Sequence, residues 1–429
     1  LSSSGVSGGF AVLKERDFTL YLGARFCSAV AAQMLIVAVG WQVYKLTGRV
    51  LDLGLIGLSQ FLPFLCLSLF AGHAADRYDR RLIILVCLST FLICALLLLC
   101  FALRGVGSTL PIFGVLGLLG MARAFLAPAA QSFVPNIVPL AALGNAIALS
   151  SSAFQVAIIA GPSIGGIVYA IGQQSSSSAS TGGAEWVYGA AAGLLVLGVL
   201  MMLLLRRRHV PNVRNAVSWA SLLQGLDFVW RQKTVLGAIS LDLFAVLFGG
   251  ATALLPAYTQ DVLHAGPEIF GCLRAAPGIG AAVCAFWLAY KPITRRVGVT
   301  MFAGVALFGA TTVIFGLTQH FWVALAALVL LGAGDMVSVF IRSMLVQLET
   351  PDEIRGRVSA VNSVFIGASN ELGEFESGFT AAWFGLVPAI VVGGVVTLLV
   401  TGLWAGVLFP RLWRLRTFDE LKDLDANGT

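Results

Sequence analysis

Apolar residues run along this chain in long unbroken blocks, each closed by a short polar knot. The blocks do not alternate with period two, so they read as helices rather than as strands of an outer-membrane barrel. A helix of about 20 apolar residues crosses the hydrocarbon of a bilayer. The pattern predicts spans over 18–46, 50–75, 81–104, 108–133, 144–172, 185–205, 234–263, 268–290, 298–318, 321–347, 358–384 and 386–409. The longest polar connection, between the sixth and seventh, opens on Arg206-Arg207-Arg208 and continues to Lys233. Within it Trp219, Leu222, Leu223, Leu226, Phe228, Val229 and Trp230 make an apolar stripe, which predicts an amphipathic helix lying along the membrane surface.

This divides the chain into a disordered cytoplasmic start (1–17), a six-helix bundle (18–205), a cytoplasmic linker (206–233), a second six-helix bundle (234–409) and a cytoplasmic tail (410–429). The Ser/Gly-rich stretch Leu1 to Gly9 reads as an expression remnant or a disordered tail. The loop Gly172 to Ala184, with Ser175 to Ser178, reads as a flexible external linker.

Composition agrees with the pattern. Hydrophobic residues make up 58% of the 429, charged residues 11%, and mean hydropathy is +0.90, against about 25% charged residues in a soluble domain. The net charge of +6 reports orientation, not nucleic-acid binding. With both ends inside, 20 of the 27 Lys and Arg fall in cytoplasmic segments and only Lys45, Arg49 and Arg104 outside. The seven cysteines lie inside predicted spans without metal-ligand spacing, and are expected to be small core residues.

A charge at a helix centre costs about 2.5–3.5 kcal/mol on insertion scales, and nine ionisable residues of the predicted spans are good candidates for such a place: Arg25, Arg123, Asp242, Arg274, Asp335, Arg342, Glu371, Glu374 and Glu376. They are candidates for substrate binding or proton coupling. The first half contributes two arginines and the second five acids against two arginines, so one cavity wall is expected to be basic and the other acidic. Asp335 and Arg342 share a helix face two turns apart, about 10 Å along the axis, and are expected to pair with other helices. Glu371 and Glu374 are neighbours, while Glu376 points away from Glu374. Neighbouring carboxylates in a poorly hydrated place favour holding a proton. The alternative is an ion network tying the eleventh span to Arg274 or Arg342. Asp242 likewise reads as a proton site or as a packing salt bridge.

The knot after the second span, Gly72-His73-Ala74-Ala75-Asp76-Arg77-Tyr78-Asp79-Arg80-Arg81, resembles the G-x-x-x-D-R-x-G-R-R/K loop of the major facilitator superfamily of secondary transporters, with Asp79 where the family has glycine. Lys291 to Gly298 is a weaker echo that lacks the aspartate. Gly161-Pro162-Ser163-Ile164-Gly165-Gly166 is similar to the family's antiporter segment, read alternatively as a packing kink. Arg123 matches the helix-four arginine, but Leu126 and Ala127 replace the residues that follow it in the family. Leu241 to Phe244, Leu254 to Pro256, Leu273 to Pro277 and Asn370 to Gly378 resemble the enterobactin-exporter branch.

The resemblance implies an all-α membrane protein of twelve transmembrane helices in two pseudo-symmetric six-helix bundles. It implies an antiporter that exports a siderophore or a similar anionic or aromatic molecule in exchange for protons, by alternating access. Gly72, Asp76, Arg77, Asp79, Arg80, Arg81, Gly161, Pro162, Gly165 and Gly166 become gating candidates, with Arg355 or Arg357 as partners of the loop. Expected partners are a small molecule, protons and the bilayer, with no nucleic acid, cofactor or metal, in a monomer of the bacterial inner membrane. Broad multidrug efflux, lysophospholipid flipping and non-transporting reception are the alternatives. An enzyme or an ATP-driven pump is disfavoured, since HExxH and G-x-x-x-x-G-K-[ST] are missing from the sequence.

Overall fold

The computed structural model describes residues 11–105, 107–175, 182–206, 219–351, 354–418 and 420, and every regular element among them is helical. The expected disordered start to residue 10, the basic part of the linker over 207–218 and the end of the tail lie outside the described residues, as do the surroundings of Gly72 and Asp76.

The helices are α1 (Arg16–Thr47), α2 (Val50–Arg77), α3 (Arg80–Leu103), α4 (Leu110–Ile137), α5 (Leu143–Ser175), α6 (Ala184–Leu203), α7 (Trp219–Arg231), α8 (Lys233–Gly249), α9 (Leu255–Asp261), α10 (Pro267–Tyr290), α11 (Val297–Leu317), α12 (Phe321–Glu349), α13 (Arg355–Phe384), α14 (Leu386–Leu403) and α15 (Pro410–Arg414). Eleven stretches among the described residues are long and apolar enough to cross a membrane. The expected eleventh span, α13, is not one of them. Its 30 residues reach about 45 Å, but Arg355, Arg357, Glu371, Glu374 and Glu376 lower its hydropathy.

The seventh predicted span departs from the expectation. It is two helices, α8 and α9, joined by a 3₁₀ turn over Ala251–Leu254. Gly249-Gly250 releases the α-helical backbone, and Pro256 occupies the first turn of α9, where its missing N–H costs nothing. Unbroken apolar composition hid this interruption.

The chain forms two compact units, Leu1–Gln42 with Ser59–Ala216, and Val43–Leu58 with Val217–Thr429. In the first, α1 is held by α4 and α5. Tyr21 donates to the Ala130 carbonyl at 2.9 Å and its ring meets Phe133. A Cβ on Gly161 would stand 2.5 Å from Gln33 Cβ, and one on Gly165 3.1 Å from Met34 Cα. The glycines of the antiporter-like segment therefore bring α5 onto α1. α3 packs against α4 and α6.

In the second unit α11 and α12 pack together, α12 against α10, and α8 against α13 and α14. One of its apolar clusters joins Leu241, Met301, Phe302, Ile341, Leu345 and Trp404. Val229 is buried with Val235, Val346 and Val358, whereas Leu226 and Trp230 are exposed. Arg357 donates to Gln224 of α7 at 2.6 Å. Of the cysteines, Cys27, Cys87 and Cys94 are buried as expected, but Cys66 and Cys272 are exposed.

Candidate functional site

The break between α8 and α9 leaves backbone carbonyls without helical donors, and in a spanning segment each must find another. Arg274 of α10 supplies one: its Nη1 donates to the Thr252 carbonyl at 2.9 Å. Its Nη2 faces Glu374 Oε1 of α13 at 3.4 Å. Both side chains are about one-fifth to one-quarter exposed. α13 comes this close because Gly373 meets Gly250, where a Cβ would lie 2.9 Å from the Gly373 carbonyl. Arg274 thus joins a broken helix to the acidic helix. Glu376 turns elsewhere, accepting from Thr380 at 2.7 Å. Glu371 lies one turn before Glu374.

A second cluster lies along α8 and α12. Arg342 is 2% exposed and Asp242 4%, and the guanidinium Nη1 donates to the Asp242 carboxylate. Arg342 Nε is buried without an acceptor among the described residues, as is the Ser338 hydroxyl one turn away. Asp335, on the same face of α12, is within electrostatic reach of both Asp242 and Arg342. The guanidinium bonds Asp242 and has a second carboxylate within electrostatic reach. The sequence placed Asp335 and Arg342 on one face, and the fold adds Asp242 as the direct partner.

In the first unit, a cavity of about 610 Å³ opens among α1, α4 and α5. Its lining is mostly apolar, with Phe26 and Phe154, and it carries the guanidinium of Arg25 beside Gln131, Ser150 and Gln155. Arg123 is not among its lining residues. It donates to Gln60 of α2 at 3.2 Å, where α4 approaches α2 so closely that a Cβ on Gly120 would overlap the Gln60 carbonyl. The structure therefore separates two arginines that the sequence grouped.

The charged loop is tied within its own unit. Asp79 caps α3, accepting from the Arg81 amide at 2.9 Å. Arg80 donates to the Ser132 carbonyl at 2.8 Å, and Arg81 to the Met202 and Leu203 carbonyls at 3.2 and 2.9 Å. Arg77 ends α2 and is exposed. Of the expected loop partners, Arg357 bonds Gln224 and Arg355 reaches the Thr350 carbonyl at 3.3 Å.

Sequence reasoning missed one part of the second unit. The first turns of α2 lie on α13: a Cβ on Gly54 would stand 3.1 Å from Gly378 Cα, and one on Gly57 3.1 Å from Glu374 Oε2. Beside them Tyr44 donates to the Asp261 carboxylate. Both residues sit at span ends, where Tyr and Asp look like ordinary interface residues. Only the Gly54/Gly57 spacing signalled a close approach.

A profile of the Major Facilitator Superfamily matches residues 21–374. The chain is 26% identical over 421 residues to the multidrug efflux pump Tap of Mycolicibacterium fortuitum, covering 95% of this chain and 98% of that protein. It is 28% identical over 393 residues to the enterobactin exporter EntS of Shigella boydii, covering 88% and 90%. Among solved structures, a bacterial homologue of the human lysosomal transporter Spinster superposes with TM-score 0.72 at 15% identity, over 93% of this chain and 98% of that one. The nucleoside transporter NupG gives TM-score 0.66 at 14% identity, over 93% and 99%. With its helical fold, its apolar spans and the profile that covers most of its length, this chain is a multi-pass membrane protein that belongs to the Major Facilitator Superfamily of transporters.

Proposed function

We propose that this transporter is a proton-coupled antiporter that exports a small anionic or aromatic molecule, of the siderophore kind, by alternating access. The observation that carries the coupling is the buried Arg342–Asp242 pair with a second acid, Asp335, in electrostatic reach. Arg342 has committed Nη1 to Asp242 and holds Nε without an acceptor, with Asp335 in electrostatic reach. A guanidinium so placed can transfer its bond from one carboxylate to the other, and the carboxylate it leaves takes up a proton instead of staying charged in a poorly hydrated place. Glu374, held by Arg274 at the helix break, is the second exchange point, with Glu371 and Glu376 on the same helix.

Cargo is proposed to enter the cavity of the first unit, where Arg25 meets an anionic group and Phe26 and Phe154 meet an aromatic one. The relatives named enterobactin exporter support this substrate class. In this reading the bundles 18–205 and 234–409 rock about the linker, both chain ends face the cytoplasm of a bacterial inner membrane, and the protein works as a monomer. The loop 72–81 and the segment 161–166 act in gating.

A broader multidrug reading is favoured by the relative named multidrug efflux pump and by the mostly apolar cavity. Competition separates the two: many unrelated dyes blocking catecholate flux indicate broad efflux, and their failure indicates a dedicated carrier. Coupling is tested in proteoliposomes with an imposed pH gradient. Flux is expected to follow the gradient in the parent chain and to lose that dependence in Asp335→Asn or Glu374→Gln. Gradient-independent flux in the parent protein overturns antiport.

A further inference from the structure

A second large cavity, of about 630 Å³, lies at the end of the second unit where α8 begins and α12, α14 and α15 end. It is separate from the transport residues above. Three cationic side chains line it, Arg231, Lys233 and Arg411, against one acid, Glu349. Arg231 also pairs with Asp227 on its own helix at 2.9 Å. No carboxylate lies within salt-bridge distance of Lys233 or Arg411 among the described residues, so cationic charge is in excess.

The same cavity has an apolar side. α14 ends in a π-helical turn, Trp404–Leu408, which presents Val407 and Leu408 at 68% and 50% exposure. Trp230, beside Arg231, is 66% exposed, and Trp413 of α15 is also exposed. Tryptophans next to basic residues at the ends of spans mark the level of lipid headgroups. A phosphate in water would be met by the cations alone. A ligand that also covers Val407 and Leu408 must carry hydrocarbon next to its phosphate. Basic pockets between helices at a membrane surface have this chemistry.

We infer that this cavity holds the headgroup of an anionic phospholipid, its phosphate between Lys233 and Arg411 and its acyl chains along Val407 and Leu408. Arg231 adds charge at the rim, and the excess of cations over the one acid, Glu349, favours a headgroup of net negative charge over a zwitterionic one. The site does not depend on which molecule the transporter exports, or on proton coupling.

The full chain, purified in detergent, is examined by native mass spectrometry with added phosphatidylglycerol, phosphatidylcholine or inorganic phosphate. One tightly held phosphatidylglycerol is expected, lost in Lys233→Gln and in Arg411→Gln, regained in Arg411→Lys and kept in Arg16→Gln, a charge-matched control in the other unit. Lys233 is exposed on the first turn of α8, so its variant tests the site even if Arg411→Gln fails to fold. Equal retention of phosphatidylcholine, retention of phosphatidylglycerol by both glutamine variants, equal loss in Arg16→Gln, or displacement of the lipid by millimolar inorganic phosphate would each overturn the assignment.

Discussion

Arg342 of α12 bonds Asp242 of α8 across 100 residues of sequence, with both side chains almost wholly buried. Removing one partner of such a pair leaves an uncompensated charge, at a cost of about 3–5 kcal/mol, whereas replacing both with apolar groups of similar volume is often close to neutral. Arg342→Met is therefore expected to lower the unfolding temperature in detergent sharply. The double variant Asp242→Leu, Arg342→Met is expected to recover most of the loss and still fail to transport. A double variant as unstable as the single one would show that the pair is not an isolated charge contact.

The approach of α2 to α13 predicts an order of severity. In Gly378→Ala the new methyl lies 2.6 Å from Gly54 Cα and 2.7 Å from Gly54 N, both backbone atoms that cannot move aside. In Gly57→Ala the nearest atoms are Glu374 Cβ at 3.0 Å, Glu374 Oε2 at 3.1 Å and the Glu371 carbonyl oxygen at 3.2 Å. The second set is less severely overlapped, so Gly378→Ala should abolish flux where Gly57→Ala only reduces it. Equal flux in both variants would refute the contact.

Asp79 is expected to matter as a helix cap. Its replacement by Ala removes the bond to the Arg81 amide and should cost about 1 kcal/mol, while Gly, the residue of the family pattern, should cost only a few tenths. Thermal unfolding of the two variants checks this.

Arg25 is the cation of the first-unit cavity. Arg25→Gln is expected to raise the KM for an anionic cargo several-fold and to leave a neutral aromatic cargo nearly unchanged, measured as initial flux into proteoliposomes. An equal effect on both cargoes would mean that Arg25 acts through packing.

The charged sites were partly legible in the sequence. Helical spacing turns Glu376 away from Glu374, while for the eleventh span the sequence leaves two readings open, proton-holding carboxylates or an ion network to Arg274 or Arg342. Which arginine took which acid did not follow, because spacing fixes the face of one helix and says nothing of the helix beside it. The choice of Arg274 for Glu374 depends on the freed Thr252 carbonyl at the α8–α9 break, and that break is silent in a hydropathy pattern.

By itself the sequence determined the membrane class, the helical spans and the ionisable residues placed among them, since these depend on hydropathy summed over some 20 neighbouring residues. The tertiary structure decided the rest: that Arg25 lines a cavity and Arg123 does not, that Asp79 caps a helix, and that Gly54 and Gly57 seat α2 on α13. Such outcomes rest on contacts of 3–4 Å between residues far apart in the chain, and only the packed helices bring those atoms together.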